Sequence, residues 1–327
     1  MEKEKAMGEE EKGGNGGPLE GLAAGFIGLG LMGLPMALRA RAAGARVTAW
    51  NRSPGGAAEA LRGGCVCCGR VEEVADRLAG GIIVLMLWDG AVVRGVLDGR
   101  ERFLERVKPG TLVIDMGTTD LETTHWLQAQ LAGRGASFLD APVSGGQVGA
   151  REGTLSIFAG GEEADFQRAR PLFEVLGQRI THLGGYGAGQ ITKLVNQVIV
   201  AESVTAVAEG LLLAEAAGVD PAKVREALRG GFADSRILNL HGGRMVTGRF
   251  EPGGRASAQL KDVRLALALQ RETGVDLPGL TCNAGLWEDM VRSGMGDLDH
   301  SAIHAFLKGG TGVSRPGFGE LREDGER

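Results

Sequence analysis

The stretch AAGFIGLGLMG, residues 23–33, decides how the rest of the chain folds. AAGFI is an apolar run of strand length, and Gly28, Gly30 and Gly33 follow it at G-x-G-x-x-G spacing. A helical segment then runs to Ala43, Gly44 ends it, and residues 46–50 read as a second strand. Strand, glycine turn, helix and strand is the order a dinucleotide-binding unit requires. The first glycine makes the tight turn, the second lets the backbone approach a pyrophosphate, and the third lets helix and strand pack. The helix start, with its free N–H groups and positive dipole end, then faces the phosphates. Gly28, Leu29, Gly30, Leu31, Met32 and Gly33 are therefore the expected cofactor loop. In a chain with 56 glycines the spacing alone is weak, and its placement between strand and helix is what gives it meaning.

The end of the second strand selects the cofactor. A carboxylate there would bind the ribose hydroxyls of NAD. This chain has Asn51, Arg52 and Ser53, a guanidinium between two neutral polar groups, which suits a 2′-phosphate. NADP is the expected cofactor, with NAD use also open. An ordinary polar turn before Pro54 explains the same residues.

Strand–helix alternation continues, with strands expected at 82–87, 111–115, 137–139, 154–159 and 179–183 and helices near 71–79, 90–98, 120–132 and 162–176. Ligands bind an open parallel sheet at loops beyond strand C-termini. Here those loops hold Trp88, Asp89 and Gly90, then Gly117, Thr118 and Thr119, then residues 141–146 with Ser144, Gly145 and Gly146 at their end. Two glycine N–H groups beside the Ser144 hydroxyl make a small anion cradle suited to a carboxylate, and a structural turn accounts for the glycines equally well.

Residues 187–218, GAGQITKLVNQVIVAESVTAVAEGLLLAEAAG, read as one long helix of roughly 45 Å at ~1.5 Å per residue. Its apolar residues crowd more than one face, so burial on several sides is expected. Lys193 and Asn196 lie one turn apart near its start. A lysine in such a helix either snorkels to the surface or has a role. Beyond residue 218 the pattern is helical, at 221–229, 235–240, 256–273, 278–292 and 301–307. Lys261 precedes Asp262 there and reads equally as an exposed charge. The fold class is thus α/β: an N-terminal Rossmann doubly wound, mainly parallel sheet plus an all-helical C-terminal domain, joined by a long interdomain helix. The expected boundaries are a disordered tail at 1–21, the cofactor domain at 22–184, the helical domain at 185–308 and a flexible tail at 309–327.

Composition removes several function classes. The net charge is −5 and the five histidines are scattered, so no basic surface argues for nucleic acid. Few aromatics (one Tyr, four Trp) disfavour base-stacking platforms. No apolar run reaches the length of a membrane span, so no membrane partner is expected. The first 20 residues are charged and glycine-rich, without a signal peptide's apolar segment, and with six glutamates and no arginine they do not resemble a mitochondrial presequence. A cytoplasmic location is expected. Cys65, Cys67 and Cys68 share a probable strand and lack a CxxC partner pair, and Cys282 is distant, so buried free thiols are expected. His300 and His304 sit four apart, as a metal pair would, with no third ligand in sequence; no metal is expected.

Four motifs together resemble the β-hydroxyacid dehydrogenase family: GFIGLGLMGLPMA at 25–37, DAPVSGG at 140–146, GYGAGQITKLVNQ at 185–197 and QLKD at 259–262. The likeness spans about residues 23 to 308. KLVNQVIVA, REALRGGFADS and DHSA are most like its tartronate semialdehyde reductase branch; 3-hydroxyisobutyrate dehydrogenases and glyoxylate/succinic semialdehyde reductases are near neighbours. The resemblance implies an active site in a cleft between the domains and a homodimer or homotetramer. It implies Lys193 as catalytic acid/base, its pKa lowered by burial, with Asn196 and Ser144 beside it. It assigns the substrate to Ser144, Gly145, Gly146, Asn196 and Gln197, and adds Leu87, Thr118 and Lys261 to the cofactor contacts. The expected activity is NADPH-dependent reduction of a small aldehyde acid to a hydroxy acid. Oxidation of the 3-hydroxyisobutyrate type and a non-catalytic NADP-binding module of the same fold are the alternatives. Imine reductases share the architecture but usually lack the lysine. Gly117 stands where serine is common in the family, Gln197 where several members have asparagine, and Trp88 where proline is common.

Overall fold

A computed structural model describes residues 17–99 and 102–309, so of the tails expected at 1–21 and 309–327, residues 1–16 and 310–327 lie outside the described residues. The chain divides into two compact units, Met1–Lys193 and Leu194–Arg327.

The first unit alternates strand and helix: β1 (Ala23–Ile27), α1 (Gly33–Ala42), β2 (Arg46–Trp50), α2 (Pro54–Arg62), β3 (Val66–Cys67), α3 (Glu72–Arg77), β4 (Ile82–Leu85) and α4 (Gly90–Leu97). It continues through α5 (Phe103–Arg106), β5 (Leu112–Asp115), α6 (Leu121–Ala132), β6 (Ser137–Asp140), β7 (Val143–Ser144), α7 (Gly146–Glu152), β8 (Leu155–Gly161), α8 (Glu163–Leu176) and β9 (Gly177–His182). The strand order is β3-β2-β1-β4-β5-β6-β8-β7, with β9 on β8. The first six strands are parallel; β8 runs antiparallel to β6 and β7. Successive strand residues point to opposite faces, and both faces are covered. Phe26, Val84, Ile114 and Leu139 pack on one side, and Ile27, Ile83, Leu85, Val113 and Phe138 on the other. Two-sided burial explains why these strands read as unbroken apolar runs.

The fold begins earlier than expected. Leu19 is buried, and its N–H donates to the Ala43 carbonyl at 2.9 Å. The disorder expected through residue 21 therefore does not hold at 17–21, where one leucine in the core fixes the entry strand. Cys65 and Cys68 are buried and free as expected, Cys67 is free but only half-buried, and the distant Cys282 is free and exposed.

A 29-residue helix, α9 (Ala188–Ala216), crosses the division between the units. The second unit adds α10 (Pro221–Ala227), α11 (Arg236–Thr247), α12 (Ala256–Thr273), α13 (Pro278–Met290) and α14 (Ile303–Lys308), with a π turn at Val291–Met295 and a 3₁₀ turn at His300–Ala302. Leu194, Val204, Ala208 and Leu211 of α9 pack with Leu260, Val263, Leu280, Trp287 and Ile303. Burial of α9 on several sides is not observed: Ile191, Val195, Ile199 and Leu213 are exposed, at 41%, 53%, 59% and 72%. By length and composition α9 could also cross a membrane, although Lys193, Glu202 and Glu209 interrupt its apolar sequence. Its core residues account for the same composition in a helix packed within a protein.

Candidate active site

The three glycines of the fingerprint have three separate physical reasons. Gly28 sits at φ +98°, and a Cβ there would lie 2.3 Å from the Met86 carbonyl oxygen. A Cβ on Gly33 would meet the Gly28 carbonyl oxygen at 1.9 Å, so helix α1 can approach β1 only without a side chain. Gly30 has nothing within 4 Å of its absent Cβ. Packing does not explain that glycine; an open cradle before the N-terminus of α1, which carries no acidic residue in its first turn, fits a dinucleotide's diphosphate. Leu29 is buried, Leu31 is exposed and Met32 is half-buried. Leu87, beyond β4, packs against the core next to Gly28.

The β2 end differs in detail from expectation. Asn51 Oδ1 accepts the Leu29 N–H at 2.8 Å, and its Nδ2 donates to Ser53 O at 2.8 Å and Ser53 Oγ at 3.0 Å. Asn51 therefore fastens the glycine loop to the second strand. Arg52 and Ser53 are exposed beside it.

Beyond β5 and β6 the loops are tied to the start of α9. Gln190 is fully buried; its amide nitrogen donates to Gly117 O at 3.0 Å and Thr119 Oγ1 at 2.9 Å, and its oxygen accepts Thr119 N–H at 3.1 Å. Asp115, the last residue of β5, accepts from Gly117 N–H at 3.0 Å and from the Thr119 hydroxyl. Thr118 lies inside this fastened turn. A serine at Gly117 would place its Cβ 2.8 Å from Leu87 O, so glycine there matches the close approach of the two loops. Asp140, the last residue of β6, accepts from Gly187 N–H at 2.8 Å and Gln190 N–H at 2.9 Å and thus caps α9 from a distance. Burial pushes its carboxyl up, against those N–H groups, which hold it down. Four residues on is Ser144, followed by Gly145 and Gly146 at φ +134° and +63°, a turn that only glycines adopt readily, leading into α7. Lys193, one turn past Gln190, is 8% exposed. Thr118, Ser144 and Lys193 come from distant parts of the sequence; Gln190 ties the Thr118 loop to the start of α9, and Asp140 ties the end of β6, four residues before Ser144, to the same place. Asp115, Asp140 and Gln190 went unnoticed in sequence; the signal available was an aspartate closing each of two apolar strands.

In the helical unit, Asn196 donates to Gln197 Oε1 at 2.8 Å, and Gln197 donates to Asp262. Lys261 pairs with Asp262 at 2.8 Å and is largely buried, unlike the exposed charge that its sequence context also allowed. His300 does not pair with His304. It meets His241, Nε2 to Nε2, at 3.2 Å, with Asp299 nearby. These three stand close enough to share a cation, but Asp299 already accepts from Ser301 N–H and Oγ, Gly253 N–H, Gly254 N–H and Arg244. The group ties the 250–254 loop to the turn before α14.

A glycine cradle at β1, a switch point between β1 and β4, and a buried lysine at the strand C-termini define a nicotinamide-dinucleotide-dependent oxidoreductase of the Rossmann class. Residues 23–184 match the family model for the NAD binding domain of 6-phosphogluconate dehydrogenase, and 187–307 the model for the NAD-binding domain of NADP-dependent 3-hydroxyisobutyrate dehydrogenase. The chain is 43% identical to the 2-hydroxy-3-oxopropionate reductase of Escherichia coli (strain K12), over 85% of this chain and 94% of the relative. It is 33% identical to glyoxylate/succinic semialdehyde reductase 1 of Arabidopsis thaliana, over 88% and 99%. The solved Mycobacterium tuberculosis 3-hydroxyisobutyrate dehydrogenase with L-serine superposes at TM-score 0.79 and 30% identity, covering 88% and 99%. The chain belongs to the β-hydroxyacid dehydrogenase family and is an NAD(P)-dependent hydroxyacid dehydrogenase or reductase.

Proposed function

We propose that this enzyme reduces 2-hydroxy-3-oxopropionate, or a closely similar small aldehyde acid, to the hydroxy acid, with NADP as its preferred cofactor. The observation that carries this is Lys193, buried on a helix start that Gln190 fastens to the Thr118 loop and Asp140 to the end of β6, four residues before Ser144. The 43% identity to a reductase of that name supports the substrate class.

The bound reduced nicotinamide supplies the hydride. The Ser144 hydroxyl and the N–H groups of Gly145 and Gly146 hold the substrate carboxylate. Lys193 gives its proton to the aldehyde oxygen as that oxygen gains negative charge, and takes it back in the reverse direction. Asn196 and Gln197, hydrogen-bonded to each other and through Gln197 to Asp262, form the amide pair proposed to orient the substrate. Gly28 to Gly33 hold the diphosphate, and Arg52 the 2′-phosphate.

Turnover of 2-hydroxy-3-oxopropionate, glyoxylate, succinic semialdehyde and methylmalonate semialdehyde, each with NADPH and NADH, tests the reading. The first substrate with NADPH should give the highest kcat/KM. Lys193→Ala should bind NADPH yet lose at least about a hundredfold in kcat, within the usual worth of general acid catalysis. Retention of more than about a tenth of kcat would refute the role of Lys193. Arg52→Ala should raise KM for NADPH roughly ten- to hundredfold and leave NADH nearly unchanged; equal losses would refute the cofactor assignment.

A further inference from the structure

We propose that Gln190 is a positioning residue that sets the register between the Gly117–Thr119 loop and Lys193; this rests on the acid/base role proposed for Lys193. The amide of Gln190 has both hydrogens and one oxygen lone pair engaged, all within a single loop. That pattern fixes which end is nitrogen and which is oxygen, because only the nitrogen can donate to the Gly117 carbonyl. The loop is held from its other side by Asp115, through Gly117 N–H and the Thr119 hydroxyl. Thr118 is thus clamped between a strand end and a helix, while its neighbours on both sides are bonded to Gln190. Lys193 follows Gln190 by one turn on the same face of α9, so a shift of the helix against the loop moves both side chains together. The backbone N–H of Gln190 is also held, by Asp140 from the next strand. One residue therefore registers α9 against two strand ends.

Bulk stabilisation alone would not need this arrangement. An apolar residue at 190 would fill the space but would leave Gly117 O and Thr119 N–H buried without partners, and the loop would move to find them. A misplacement of about 1 Å in a group far from the reacting atoms can cost on the order of a hundredfold in rate.

The test compares Gln190→Met, Thr119→Val and Thr119→Ser in the full-length enzyme, with kcat normalised to the fraction that binds NADPH in a fluorescence titration. Gln190→Met and Thr119→Val should each lower normalised kcat by about tenfold or more while the NADPH Kd changes by less than about threefold. Thr119→Ser keeps the bridging hydroxyl and should stay near wild type. The double variant Gln190→Met with Thr119→Val should be little worse than either single one, because both break the same clamp. A purely structural role would lower the NADPH-binding fraction and leave normalised kcat intact, and that result overturns the proposal. Multiplying losses in the double variant overturn it as well. Should Gln190→Met not fold, Thr119→Val against Thr119→Ser decides the question alone. If Lys193→Ala is inactive while Gln190→Met has wild-type kcat, only the clamp fails; if Lys193→Ala is active, the acid/base reading fails whatever Gln190 does.

Discussion

Gly30 and Gly33 lack a side chain for opposite reasons, one to leave space and the other because there is none. Gly30→Ala should therefore fold with a Tm within about 2 °C of wild type and bind NADPH about tenfold more weakly, or worse. Gly33→Ala must push its new methyl group away from the Gly28 carbonyl. Overpacking of this kind costs about 1–3 kcal/mol, so its Tm should fall by several degrees. Thermal melts and fluorescence titrations of the two variants separate these outcomes, and normal NADPH binding by Gly30→Ala would move the diphosphate off this loop. The G-x-G-x-x-G spacing exposed all three glycines to a sequence reader, because each role demands the same residue. Asn51 was legible only as a polar group at a strand end. Its true partner, the Leu29 N–H, lies 22 residues away, and no local pattern encodes such a bond.

Elements with a strong period were legible; short ones were not. The five parallel strands other than β3 fall at or within two residues of expectation, because burial on both faces leaves largely apolar runs. The missed α7 contains Gly146 and Gly149 and has no apolar stripe. Helix α11 runs to Thr247, past the expected stop at residue 240. Its Gly242 does not end the helix; the missing side chain admits Arg225 and Val207, each 3.4 Å from where a Cβ would stand. The turn before α14 carries a prediction of its own. Burial, then the neighbouring His241 and Arg244, push the His300 imidazole down to about 4, against the pull of Asp299. Burial would raise Asp299, but His241, Ser301 and the charge on His300 hold its carboxyl well below the usual range. An unfolded histidine takes up its proton near 6.5, so between about pH 6.5 and 4 the unfolded chain binds more protons at this site. Stability should fall over that window by up to about 3 kcal/mol, before the Asp299 contribution begins to fail below about pH 4. Urea midpoints at pH 7, 5.5 and 4.5 should decline less steeply for His300→Asn than for wild type; parallel slopes would show that the imidazole is not the group responsible.

For the molecule as a whole, the doubly wound sheet could be foreseen because strand–helix alternation around a glycine turn leaves few topologies. The arrangement inside the helical unit could not, since amphipathic helices dock at several angles and no local residue selects one. The matched family models part between residues 184 and 187, whereas the compact units part after Lys193. Asp140 and Gln190 explain the offset, because they bond the first turn of α9 to the sheet. That offset matters to anyone building chimeras. A recombinant joined at the glycines near residue 185 would bring a donor's lysine and first helical turn onto a sheet whose Asp115 and Thr119 were shaped for another partner. A graft made after Lys193 keeps that lysine with its own loops, and only the remainder of the helix is exchanged.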